Sequence, residues 1–278
     1  MTIRIVTDSA SDLSDEEILS FGIEIVPLSI RFGNEEFVDR LELSVDDFYQ
    51  KMSSSEEVPQ TAAPSPGAFK VAFEKCFNEG AETVICINIS GGLSATIQSA
   101  QSGAREIKDR DIRIIDSKSV SGGLGTLVLK AAEAVKNGLS ADEIVTLIND
   151  LSLKTRLYAA IDTLENLKKG GRIGNAQALL GSMLSIKPLI DLSSGVVEEA
   201  GRQRTRKKSL VWLNEKLLEF NGNFKNLVLM HARAEDKDVL LDLLKDSTDA
   251  EIRMVSLGPV VASHGGPGVI GISFTFED

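Results

Sequence analysis

The chain has 278 residues, 42% hydrophobic and 26% charged, which excludes a disordered tail or a disulfide-dependent miniprotein and supplies apolar material for two domains or one large α/β unit. Thirty Lys and Arg against 41 Asp and Glu leave a net charge of −11, a surface that repels a nucleic-acid backbone, so no nucleic-acid partner is expected. The opening residues lack a signal-peptide pattern and no apolar run approaches the roughly 18 residues of a membrane span, so we expect a cytoplasmic protein with no integral membrane segment.

The first half alternates β-branched runs with helical patterns, the sequence form of a parallel sheet covered by helices. A strand is predicted over residues 3–6. Residues 25–32 and 35–38, joined by Gly33-Asn34, read as a hairpin that adds an antiparallel edge to this sheet. Ser44-x-x-Asp47 marks a helix start before Phe48 and Met52. Residues 59–66 hold Pro59, Pro64 and Pro66, which forbid a helix interior or a central strand and leave an ordered loop or linker. Residues 83–89 and 112–115 are buried-strand runs, each followed by a glycine-containing turn and a helix. Ser140-x-x-Glu143 is a capping box for a helix ending near Lys154. Beyond it the strands become short and less regularly linked to helices: residues 157–161, 190–192 with 196–197 across Ser193–Gly195, then 227–230, 252–255 and 269–276. The fold class is therefore α/β in two domains, a parallel-sheet domain over residues 1–155 and a smaller mixed-sheet α+β domain over residues 156–278.

Cys76 and Cys86 have no CxxC spacing and fall inside apolar elements, as buried reduced thiols do; no metal site is expected. Ser90-Gly91-Gly92-Leu93-Ser94 lies between a strand and a helical stretch. Its unpaired backbone N–H groups and the positive end of the helix dipole suit a carboxylate or phosphate, with the Ser94 hydroxyl as an added donor. A simpler reading is that Ser94 only caps its own helix. No Gly-Lys-Ser/Thr follows, so nucleotide binding is not implied. Gly92-Leu93-Ser94-Ala95-Thr96 also nearly matches a nucleophile elbow, and His264 lies downstream in the hydrolase order, which makes a serine esterase using Ser94 and His264 the alternative; the second glycine and an identifiable acid are missing. Gly122-Gly123-Leu124-Gly125 is a weak dinucleotide signal and better explained by a helix packed closely on a strand.

His264-Gly265-Gly266-Pro267-Gly268 places one of only two histidines on a loop whose backbone can approach another group closely, as a ligand contact or as a structural histidine. His231 reads as structural. Gly170-Gly171-Arg172-Ile173 and the run 202–208, with Arg202, Arg204, Arg206, Lys207 and Lys208, concentrate positive charge on an acidic chain, either as a solvated face or as a docking surface.

Taken together, Val6-Thr7-Asp8-Ser9 with Asp12-Leu13, the Pro59-Gln60-Thr61 loop with Pro64-Ser65-Pro66, Gly92-Leu93-Ser94 with Gln98-Ser99-Ala100, Asp116-Ser117, Gly170-Gly171-Arg172-Ile173, Lys187-Pro188, the 204–208 run and His264-x-Gly266-Pro267-Gly268 resemble the DegV family from first strand to last. Ala62, Ala63 and Ala95 depart from the family's usual Ser, Gln and Gly. Characterised members are the fatty-acid-binding subunits of bacterial fatty acid kinase. The resemblance implies a long-chain fatty acid buried between two domains, its carboxylate held by Thr61 and Ser94 beside Gly92, Leu93 and His264, with His264 assisting phosphoryl transfer. It also implies that Arg172, Arg204 and Arg206 face an ATP-binding kinase subunit that makes an acyl phosphate. On that reading the chain is no enzyme, carries no cofactor and presents a substrate. The run 176–184, with Leu179, Leu180, Met183 and Leu184, is a candidate tunnel wall or else ordinary helix core. No kinase signature is present in the chain.

Overall fold

The computed structural model describes residues 2–55, 57–181 and 186–277. Strand β1 (Ile3–Asp8) ends in a single 3-10 turn, Ser9–Ser11. Helix α1 (Asp15–Phe21) starts at a capping box in which Ser14 and Glu17 each satisfy the other's backbone N–H. The strand expected over 25–32 is broken in two: β2 (Glu24–Val26) pairs with β1 in parallel, and β3 (Ser29–Phe32) leaves that sheet. Pro27 lies at the break, where it has no N–H to give to a ladder. The hairpin of β3 with β4 (Glu35–Val38) forms through Gly33 at φ +57°. It belongs to a separate three-stranded sheet and does not edge the parallel one.

Helix α2 (Val45–Ser54) is capped by Ser44. The proline-rich loop contains a short strand, β5 (Gln60–Ala62), at the edge of the small sheet, a place open to a segment flanked by prolines. There follow α3 (Pro66–Asn78), β6 (Thr83–Asn88), α4 (Thr96–Arg105), β7 (Asp111–Asp116), α5 (Ser121–Lys136) and α6 (Ala141–Lys154), the last opened by the Ser140–Glu143 capping box. The parallel sheet has the order β2-β1-β6-β7, and every residue of β6 is buried, as a strand covered on both faces requires.

The remaining elements are β8 (Thr155–Ala160), α7 (Glu165–Lys169), a 3-10 stretch Gly174–Gly181, β9 (Lys187–Asp191), β10 (Glu198–Gln203), α8 (Arg206–Leu218), β11 (Phe224–His231), α9 (Lys237–Ser247), β12 (Ile252–Ser256), α10 (Pro259–Gly265) and β13 (Ile270–Phe276). They build a mixed sheet of order β10-β9-β8-β13-β11-β12 in which only β11 and β12 run parallel. It has six strands against four, although fewer residues supply it. The β9–β10 hairpin turns over residues 192–197, longer than the expected three-residue turn, because Asp191 already pairs with Glu198. Among the described residues no helix is long and apolar enough to cross a membrane.

Helix α5 joins the two sheets. A Cβ on Gly122 would lie 2.7 Å from Val228 of β11, one on Gly123 3.1 Å from Ser273 of β13, and one on Gly125 2.7 Å from the Ser11 carbonyl after β1. The glycines thus serve close packing. One hydrophobic cluster runs through the contact, taking Ile5 and Ile85 from one sheet and Leu157 and Met230 from the other. Gly125→Ala should cost about 1–3 kcal/mol, because backbone blocks the added methyl. Exposed Gly67 in α3 has no heavy atom nearer than 3.7 Å, so Gly67→Ala should stabilise by up to about 1 kcal/mol. Urea midpoints of the two variants check both signs.

Three carboxyls sit under the β1–α5 contact. Burial pushes Asp8 and Asp39 to about 6 and Asp12 to about 7. Each holds a proton in the folded state at a pH where the unfolded chain has lost it, so each favours folding as pH falls from about 7 toward 4. His264, pushed down to about 4 by burial, opposes them below pH 6.5. We expect the unfolding free energy to be about 2 kcal/mol larger at pH 5.5 than at pH 8, with a flatter dependence in Asp39→Asn; urea titrations across that range test it.

Candidate functional site

The loop after β6 is fixed at both ends. Its start is anchored by Asp8, whose carboxylate accepts from the Ile89 N–H at 2.8 Å and the Asn88 side chain at 3.1 Å. Further along, the Ser90 hydroxyl donates to the Gly195 carbonyl at 2.6 Å, crossing to the β9–β10 turn. Gly92 lies so close to that turn that a Cβ would come within 2.5 Å of Val196 and 2.7 Å of the Gly195 oxygen, so only glycine fits. Ser94 follows, half-buried, its hydroxyl bonded to Thr96 Oγ1 at 2.9 Å and accepting from the Thr96 N–H at 3.3 Å. Ser94 therefore does satisfy one N–H at the start of α4, but the cap position itself is Ala95.

Thr61 is held by β5, opposite Ile30 of β3. Its hydroxyl lies 2.7 Å from Nε2 of His264, 203 residues away, in the last turn of α10. Asn166 in α7 donates to the Ser263 carbonyl at 3.2 Å and steadies that turn. Gly170 packs against the imidazole, where a Cβ would be 2.3 Å from Nδ1. Arg172 ties the two loops: its Nε donates to the Leu93 carbonyl at 3.0 Å and its Nη1 to the Gly170 carbonyl at 2.7 Å.

Thr61, Leu93, Ser94, Arg172 and His264 all border one cavity, with about 850 Å³ of atom-free space including its opening. Val120, Leu157, Ile190, Met230, Leu257 and Val269, drawn from both halves of the chain, are buried along its apolar wall. The five residues that carry the polar contacts are only half-buried, which puts them at the mouth. Burial and the neighbouring Arg172 charge push His264 down to about 4, so the ring is neutral at pH 7, and its Nδ1 has no hydrogen-bond partner among the described residues. The mouth thus offers two hydroxyls, a neutral imidazole and a guanidinium, a donor set for a carboxylate or a phosphoryl group.

Among the described residues no serine-hydrolase triad is assembled: the His264 Nε2 faces Thr61, the Ser94 hydroxyl is bonded to Thr96, and none of their carboxylates orients the ring. A ring held near 4 is also a weak general base at neutral pH.

The other residues singled out from sequence are placed as follows. Gly92 is exposed and shapes the loop. Arg172, read as a docking residue, stands at the mouth itself. Arg204 is exposed, whereas Arg206 is held in a two-point ion pair with Asp236 at 2.7 and 2.9 Å. His231 is half-buried at the end of β11, and Cys76 and Cys86 are buried and unpaired. Of the candidate wall 176–184, Met183, Leu184 and the side chains of Leu179 and Leu180 lie outside the described residues; Ala176 is buried. The sequence reading missed Asn166, Ser121 and the scattered apolar lining. Asn166 and Ser121 had nearby signals, the glycine pair at 170–171 and the glycines at 122–125; the lining had none.

The sequence profile of the DegV family, described as a family of uncharacterised proteins, matches residues 2–277. A DegV domain-containing protein from Deinococcus radiodurans is 35% identical over 277 residues, covering 98% of each chain. Among solved structures, a fatty-acid-binding DegV family protein from Thermus thermophilus superposes with a TM-score of 0.93 at 33% identity over the whole of both chains. A stearic-acid-binding protein from Eubacterium ventriosum superposes with a TM-score of 0.91 at 27% identity over 99% of this chain and 98% of that one. With the family profile matching residues 2–277 and a relative 35% identical along 98% of both chains, this chain belongs to the DegV family.

Proposed function

We propose that the chain binds a long-chain fatty acid, tail in the apolar cavity and carboxylate at the mouth, and presents it to an ATP-binding kinase subunit that makes an acyl phosphate. The observation that carries this reading is a buried apolar wall ending at the Thr61–His264 pair and Ser94. The fatty acids bound by the Thermus and Eubacterium relatives support it.

The energetics divide along the same line. Each buried CH₂ contributes roughly 0.8 kcal/mol, so the tail supplies most of the affinity. The carboxylate must be hydrogen-bonded as it leaves water. If the neutral His264 donates from Nε2 to Thr61 Oγ1, the Thr61 hydroxyl is left to donate outward to a carboxylate oxygen, and Ser94 can turn from Thr96 to donate to the other. Arg172 supplies positive charge beside the carboxylate and beside any phosphoryl group arriving there. Arg204 is exposed and placed to dock a partner, while Arg206 is committed to Asp236.

Protein purified from cells, denatured and extracted, should yield a long-chain carboxylic acid near one per chain by mass spectrometry; a clean extract would overturn the reading. Thr61→Ala and Ser94→Ala should each weaken fatty-acid retention by about 1–3 kcal/mol, the cost of leaving a buried charged acceptor short of a donor. Unchanged retention in both variants, measured by competition with a fluorescent fatty acid, would refute the head-group assignment. His264→Ala is expected to slow acyl phosphate formation by the kinase partner more than it weakens binding, and equal losses would reduce the ring to a ligand contact.

A further inference from the structure

Asp12 belongs to none of the contacts at the mouth, yet it touches both elements that shape the cavity. It follows the Ser9–Ser11 turn in the left-handed conformation, φ +48°. One carboxylate oxygen accepts from the Ser121 hydroxyl at 2.6 Å, the other from the Gly258 N–H at 3.1 Å. Ser121 is the first residue of α5 and itself left-handed, φ +50°; it borders the acyl cavity. Gly258 is the residue before α10, the helix whose last turn holds His264.

The geometry is specific at each arm. A non-glycine residue in the left-handed region is costly and needs surroundings that hold it there. Two such residues, Asp12 and Ser121, face one another through a short hydrogen bond. The bond turns the Ser121 hydroxyl toward Asp12, so its polar end is satisfied by the acid while its residue stands in an apolar wall. At the other arm a Cβ on Gly258 would come within 2.6 Å of Asp12 Oδ1, so the backbone has been brought as close as glycine permits. Tyr49 of α2 adds a third tie beside the second, donating to the Leu257 carbonyl at 2.9 Å, and Leu257 is a lining residue. Asp12 also borders a polar cleft of about 1100 Å³ shared with Asp39, Arg40 and Arg253, so it stands between that cleft and the acyl cavity.

We infer that Asp12 is a positioning residue for the binding site: it clasps the start of α5 to the start of α10, so that the wall around the tail and the histidine at the head group are held as one unit. Its ligand-retention arm rests on the fatty-acid reading; its ring arm does not. The mechanical consequence is that loosening the clasp at Ser121 disturbs His264 through Asp12 and α10.

The two histidines make this readable by NMR, with His231→Gln assigning the ring signals. In the wild-type protein His264 should stay neutral down to about pH 4. Asp12→Ala and Ser121→Ala should each raise its midpoint by one pH unit or more as α10 relaxes and water reaches the ring, and should lower co-purified fatty acid per chain at least fivefold. Asp12→Asn keeps the acceptor for Gly258 and can donate to Ser121, and should restore both. Leu244→Ala, a core truncation in α9 far from the clasp in the fold's second hydrophobic cluster, should lower the melting temperature without moving the His264 midpoint. If Asp12→Ala does not fold, Ser121→Ala decides. An unmoved ring midpoint in a folded Asp12→Ala or Ser121→Ala variant overturns the clasp, whatever the ligand. A ring that responds in a protein without fatty acid upholds the clasp and removes the fatty-acid reading alone.

Discussion

Helix α5 lies against both sheets, and the separation it sets between them is the constraint from which the cavity follows. Three small positions on its first turns, Gly122, Gly123 and Gly125, let backbone meet β11, β13 and the turn after β1 at distances that a methyl group would prevent. At that spacing the inner faces of the two sheets pack on the helix along its length but leave space beyond its N-terminus, where Val120 and Ser121 meet Leu157, Ile190 and Met230. Close packing at one end of the contact and an opening at the other arise from the same interdigitation.

Burial shifts the titratable groups of the interior toward their uncharged forms. The ring of His264 is held neutral by burial beside Arg172, and Asp8, Asp12 and Asp39 have proton affinities well above an ordinary carboxylate. Among the described residues lining the cavity the charged one is Arg172, which donates to two backbone carbonyls and so stays where an anion would arrive. On a chain with net charge −11, this one guanidinium at the entrance of an apolar cavity gives an acidic head group a local preference the surface as a whole does not.

Much of this was legible in the residues because it rests on local rules. The capping box at Ser140, the Gly33 hairpin, the buried run of β6 and the glycine face of α5 each leave a short-range mark. Ser94 and His264 stood out through their glycine-rich settings, whereas Thr61 was marked only by the family resemblance. What stayed hidden was long-range. Pro27 splits a run that reads as one strand, and the hairpin beyond it pairs with β5 from the proline loop, a partnership no local pattern announces. The lining of the cavity is spread from Leu28 to Gly271 among residues that look like ordinary core. Arg206 reads as surface charge until Asp236, thirty residues on, is seen to hold it.

The contact of the Ser90–Ser94 loop with the β9–β10 turn reaches further than the mouth. Gly195 and Val196 press on Gly92 at one end of a hairpin whose other end, seven residues beyond Val196 at Gln203, lies in the basic run. Strand β10 is thus a ribbon of roughly 20 Å with the entrance loop resting on its tip and Arg204 at its root. A protein bound at the root would therefore stand one strand's length from the loop that carries Ser94.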